Sequence, residues 1–107
     1  MSAITTHVLD TAAGRPAAGI PVTLEFEASG SWLQIGRGVT DNDGRLRTLL
    51  VDDHPLVAGS YRLTFDTHAR SAFFPHVTIQ FLVDDVTQHY HVPLLLSPYG
   101  YSTYRGS

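Results

Sequence analysis

Apolar residues in this chain recur at every second position in short runs, and no stretch repeats them at the helical period of 3.6 over three turns. Successive side chains of a strand point to opposite faces, so each run predicts a strand with one face in a core. Ile4 to Asp10 splits into Ile4, Thr6, Val8 and Thr5, His7, Leu9. Residues 20–27 set Val22, Leu24 and Phe26 against Thr23, Glu25 and Glu27, and in residues 32–39 Leu33, Ile35 and Val39 alternate with Gln34, Gly36 and Gly38. Further runs cover Arg45 to about Leu49, then residues 60–67, 77–83, 89–96 and 101–104. Turn residues separate them: Ala13-Gly14-Arg15-Pro16, Thr40-Asp41-Asn42-Asp43-Gly44, a loop over residues 52–59 with His54-Pro55, and Asp84-Asp85. The least regular stretch, residues 68–75, is the one place for a helical turn. Seven or eight short strands at close spacing predict an all-β fold, a two-sheet antiparallel sandwich with at most one short helix.

A chain of 107 residues with no internal repeat or linker is expected to be one domain over residues 1–107. It is long enough to bury roughly two-thirds of its unfolded surface without a metal or disulfide to hold it. There is no cysteine and no lysine; the seven basic residues are all arginines, against ten acidic ones and a net charge of −3. Thiol nucleophiles, disulfide frameworks and Schiff-base lysines are therefore excluded, and a nucleic-acid surface gains no support. The first residues lack a basic start followed by a long apolar run, and no apolar stretch is long enough to cross a bilayer. The expectation is a soluble cytoplasmic protein with no membrane contact.

The most distinctive segment is HYHVPLLLSPYGYSTYRGS, His89 to Ser107. Tyr90, Val92, Leu94 and Leu96 share an apolar face, which leaves His89, His91 and Pro93 on the other. Two imidazoles two residues apart on a strand can meet a ligand, a metal or another subunit, or be ordinary surface histidines. With His7 in mid-strand they could form a three-histidine zinc site, but HExxH is absent and no acidic residue is placed to complete it. The Thr40–Gly44 turn fails as a calcium loop because Arg45 stands where a ligand is needed. GxSxG and phosphate-binding glycine loops are missing too. What remains is a site of histidine and arginine without metal or cofactor. Histidine suits proton abstraction from water near neutral pH. Arginine offers a fixed planar charge to a carbonyl, a carboxylate or an anionic heterocycle, and favours the neutral form of an adjacent imidazole. That pairing suits hydrolysis of a small anionic amide or imide.

Four motifs, HVLD at His7 to Asp10, DGR at Asp43 to Arg45, the HYHVPLLLSPYGYSTYRGS segment and its terminal Tyr104-Arg105-Gly106-Ser107, resemble those of the 5-hydroxyisourate hydrolases of the transthyretin-like family, along the whole chain. The resemblance implies an eight-stranded prealbumin sandwich assembled as a homotetramer with active sites between dimers. It also implies opening of the six-membered ring of 5-hydroxyisourate to 2-oxo-4-hydroxy-4-carboxy-5-ureidoimidazoline. Carried over by motif, the expected catalytic residues are His7, Arg45 and His91, with His7, Arg45, Tyr104 and Ser107 binding the substrate, no metal and no cofactor. His89 is expected to be a structural or supporting group, and which of His7 and His91 is the base stays open. Two departures stand out: residues 67–75 form a shorter segment than is usual before FFP, and His76 stands where an acidic residue is common. The alternative from another class is a carrier of small aromatic ligands, as transthyretin is.

Overall fold

The computed structural model describes residues 2–51 and 54–107. Among the described residues nine strands follow one another: β1 (Ile4–Asp10), β2 (Arg15–Pro16), β3 (Pro21–Ala28), β4 (Ser31–Val39), β5 (Arg45–Leu46), β6 (Gly59–Asp66), β7 (His76–Val83), β8 (Tyr90–Ser97) and β9 (Gly100–Thr103). They form two sheets, β2-β1-β8-β9 with β5 also paired to β1, and β4-β3-β6-β7. The all-β sandwich is as expected, and three details refine it.

First, β1 and β8 run parallel, so the first sheet is mixed rather than antiparallel. More than seventy residues separate the two strands, and a connection that long removes the constraint a hairpin imposes. Second, the sequence allowed at most one short helix, and none forms among the described residues. After Asp66 the Arg70 and Ser71 N–H groups both donate to the Thr67 carbonyl at 2.9 Å, a single turn that goes no further. Third, the strand expected from Arg45 to about Leu49 ends at Leu46. Of the loop expected over residues 52–59, residues 52 and 53 lie outside those described.

The alternation read from the sequence sorts most of the core. Ile4 and Val8 of β1, Val22 and Leu24 of β3, Leu63 and Phe65 of β6 and Tyr90, Val92, Leu94 and Leu96 of β8 are all buried in one cluster. Burying each such side chain is worth about 1.5–3 kcal/mol. The pattern misleads on β4. There the register slips where Leu24 faces Gly36 and Glu25 faces Gln34, leaving Ile35 as an extra residue. Such a bulge swaps the faces on one side of it, so Gly36 and Gly38 sit opposite buried Leu24 and Val22 while Val39, opposite Pro21, is 56% exposed. The glycines make room: a Cβ on Gly36 would stand 1.9 Å from the Leu49 carbonyl oxygen, and one on Gly38 would stand 2.7 Å from Leu46 Cδ1. The chain leaving β5 therefore lies directly on β4, burying Leu46, Leu49 and Leu50. This crossing anchors the segment that carries Arg45.

Candidate active site

Two strand pairings bring the polar face of the first sheet together. β5 pairs with β1 so that Arg45 lies opposite His7, and β8 pairs with β1 so that Thr5 lies opposite His91. Residues paired in this way project to the same face. Thr5, His7, Arg45 and His91 thus come from three strands to one patch.

The turn before Arg45 is held by Asp41, whose Oδ1 accepts the N–H groups of Asp43 at 2.9 Å and Arg45 at 3.0 Å. These bonds, the Arg45 one foremost, hold the Asp41 carboxyl below the usual carboxylate range. Gly44 needs its positive φ of 75°, and a Cβ there would stand 2.4 Å from the Val8 carbonyl oxygen. The same turn orients His7, whose Nε2 lies 2.8 Å from the Asp43 carbonyl oxygen. A carbonyl only accepts, so His7 carries a proton on Nε2 and, when neutral, is bare at Nδ1.

His91 is held from two sides. Its Nδ1 lies 2.8 Å from Thr5 Oγ1, and the same oxygen lies 2.8 Å from His89 Nε2. From the other side the tail folds back, the Gly106 N–H donating to the His91 carbonyl at 2.8 Å. A Cβ on Gly106 would stand 2.5 Å from His91 Cδ2, so only glycine lets the tail pass this close to the ring. Ser107 is thereby delivered beside the histidine.

Between these groups opens a depression of about 270 Å³ lined by Thr5 and Thr6 of β1, Arg45, Arg47, His89, His91 and Ser107. Among the described residues no carboxylate side chain lines it. The His91 pKa is lowered, first by burial of the ring, then by the charges of Arg45, His7, His89 and Arg47. A neutral imidazole beside two guanidinium groups can take a proton from water while a planar anion is held against the arginines.

Of the residues expected at the site, Arg45, His91 and Ser107 line the depression. His7 stands next to it through its pairing with Arg45. Tyr104 does not join them; it lines a second depression of about 250 Å³ with Phe81, Leu82, Tyr90 and Arg105, toward the edge of the second sheet. Thr5 and Arg47 were missed, and Gly106 was named only as part of the terminal motif, without a role of its own. Thr5 shares the outward face of its run with His7, and Arg47 follows Arg45 by the two residues of strand alternation, so both were signalled by spacing. Among the described residues no three His, Asp or Glu side chains stand together as a metal site needs.

A family model, described as the HIUase/Transthyretin family, matches residues 4–106. The chain belongs to this family. It is 44% identical over 117 residues to the 5-hydroxyisourate hydrolase of Caulobacter vibrioides, with both chains covered in full. To the 5-hydroxyisourate hydrolase of Salmonella typhi it is 42% identical over 110 residues, covering 97% of this chain and 80% of the relative. Among solved structures, the 5-hydroxyisourate hydrolase of Klebsiella pneumoniae superposes with a TM-score of 0.84 at 37% identity and complete coverage of both chains. Sea bream transthyretin in complex with thyroxine superposes with a TM-score of 0.88 at 31% identity, covering 96% of this chain and 93% of that one. The family's sandwich thus serves both a hydrolase and a thyroxine-binding protein, and the side chains on it decide between them.

Proposed function

We propose that this chain is a 5-hydroxyisourate hydrolase that works without a metal. The observation that carries the reading is the meeting of Arg45, His91 and Ser107 in one cationic depression beside His7, in a family whose named hydrolases lie at 42–44% identity. His91 is the base in this reading, because it lines the depression and its surroundings keep it neutral. Its Nε2 has no hydrogen-bond partner among the described residues, and no side-chain nitrogen or oxygen there is buried without one, so Nε2 opens on solvent. It takes a proton from water as the water oxygen attacks the ring carbonyl. Arg45 holds the substrate and stabilises the oxyanion that forms. The carbonyl carbon–nitrogen bond then breaks, the ring nitrogen leaves with a proton, and a carboxylate and a ureido group result. His7, fixed by the Asp43 carbonyl, faces the same substrate from β1, and Ser107 closes the depression.

Assembly as a homotetramer is part of the proposal. Tyr104 lies outside the depression within one chain, so its part in binding substrate requires the site to be completed across an interface between copies. A cytoplasmic setting is supported by the absence of cysteine, which suits a reducing compartment.

The second reading, a small-ligand carrier, is favoured by the fit to the thyroxine-bound transthyretin. One experiment separates them. 5-Hydroxyisourate is generated in the cuvette from urate and urate oxidase, and its ultraviolet decay is followed with and without this protein in the presence of chelator. The hydrolase reading predicts chelator-resistant acceleration that Arg45→Ala abolishes. Decay at the spontaneous rate with folded protein puts the carrier reading first, and acceleration lost to chelator and restored by zinc overturns the metal-free mechanism.

A further inference from the structure

One hydroxyl stands between two imidazoles in this molecule. Thr5 Oγ1 is 2.8 Å from His91 Nδ1 and 2.8 Å from His89 Nε2, and Thr5 itself is buried, 4% exposed. A hydroxyl has one hydrogen to donate. If it donates to one ring, the other ring must donate to it, so the tautomers of His89 and His91 are coupled. Two arrangements satisfy this rule. In one, His91 donates from Nδ1 to Thr5 and Thr5 donates to His89, which leaves His91 bare at Nε2. In the other, the chain runs in reverse and His91 carries its proton on Nε2.

Of the two arrangements in which Thr5 donates to a ring, only the first leaves a base where His91 meets the depression. We propose that Thr5 and His89 form a proton relay behind His91, a role that rests on the hydrolase reading. When water gives a proton to His91 Nε2, the Nδ1 proton passes to Thr5 Oγ1 and the Thr5 hydroxyl proton passes to His89 Nε2. The relay conserves protons: one enters at His91 and one is added at His89, with Thr5 unchanged in number. It moves the charge from a half-buried ring to an exposed one. The groups facing His91 give this direction its sense, since Arg45 on β5, Arg47 just beyond it and His7 on β1 all oppose a positive charge there. Thr5 and His89 touch His91 and are positioning residues in this scheme.

The test uses the full chain with Thr5→Val, Thr5→Ser, His89→Gln and the double variant Thr5→Val/His89→Gln. Valine matches threonine in shape, so the core under β1 is kept while both hydrogen bonds are lost. The relay predicts that Thr5→Val and His89→Gln each lower kcat about 10-fold, with KM within about twofold, and that Thr5→Ser recovers most of the loss. The double variant should be no slower than the slower single one, because both break the same chain. Losses that multiply in the double variant, or a wild-type kcat in His89→Gln, overturn the relay. A readout independent of activity is the nitrogen NMR shifts of the His91 ring in the substrate-free protein. Wild type should carry its neutral-ring proton on Nδ1 and Thr5→Val should shift it toward Nε2; an unchanged tautomer in Thr5→Val overturns the proposal. If wild type fails to speed 5-hydroxyisourate decay, the hydrolase reading fails alone, and the coupled tautomers stand or fall on the NMR result.

Discussion

His91 sits where burial and four neighbouring positive or protonatable groups all work against its charged form. Its pKa falls below the ordinary histidine value of 6.5, so the acid limb of kcat/KM should have its midpoint below 6.5. Arg47→Gln removes one of the opposing charges and should move that midpoint up, toward 6.5; a limb that stays put removes Arg47 from the electrostatics of the site. The same shift links to stability. Because the folded protein resists protonation of His91 and the unfolded chain does not, the contribution is complete above 6.5 and is lost as pH falls toward the folded value. Urea unfolding at pH 7.5 and 5.5 should therefore show a larger loss for wild type than for His91→Gln. Equal losses would mean that His91 is as free to ionise in the native state as in the unfolded one.

At the scale of elements, two glycines carry the geometry. Gly106→Ala puts a methyl 2.5 Å from His91 Cδ2, which must push the tail or the ring aside. Displacements near 1 Å can cost about 10²-fold in rate, so kcat should fall by about that factor while the melting temperature changes little. Gly36→Ala acts on the fold instead. Its Cβ would meet the Leu49 backbone oxygen at 1.9 Å, and overpacking of this kind costs about 1–3 kcal/mol, readable as a lower urea midpoint. Much of this was legible in the sequence, because alternation alone assigned the buried face of β8 and placed His7 and Thr5 on one face of β1. Alternation says which face a residue occupies and nothing about which strand lies beside it. Hence the parallel β1–β8 pairing, which sets Thr5 against His91, was not visible. A bulge is one residue in a pattern of period two, so the extra Ile35 turned Val39 outward, opposite Pro21, without any change in composition to announce it. The motif resemblance named His7, Arg45 and His91, but the reason for Gly106 appeared only when the tail was seen against the imidazole.

The whole molecule leaves apolar side chains uncovered near its open edges, among them Leu82 of β7 at 71% exposed and Tyr104, beyond β9, at 57%. Both line one depression, and unpaired edges beside apolar side chains are suited to pairing with another copy. Sedimentation equilibrium should give a mass four times that of the 11.7 kDa chain, and Leu82→Asp should lower it. A monomeric wild type would leave Tyr104 without a path to the substrate. No helix of the described residues is long and apolar enough to cross a membrane. The sandwich itself is shared with a thyroxine-binding relative, so the account turns on whether the histidine in the depression performs chemistry. The most direct measurement is the turnover of 5-hydroxyisourate by His91→Ala, with the oligomer mass checked on the same sample. If His91 is the base, turnover falls by about 10²- to 10⁴-fold with the assembly unchanged; wild-type turnover from the intact assembly would contradict that role.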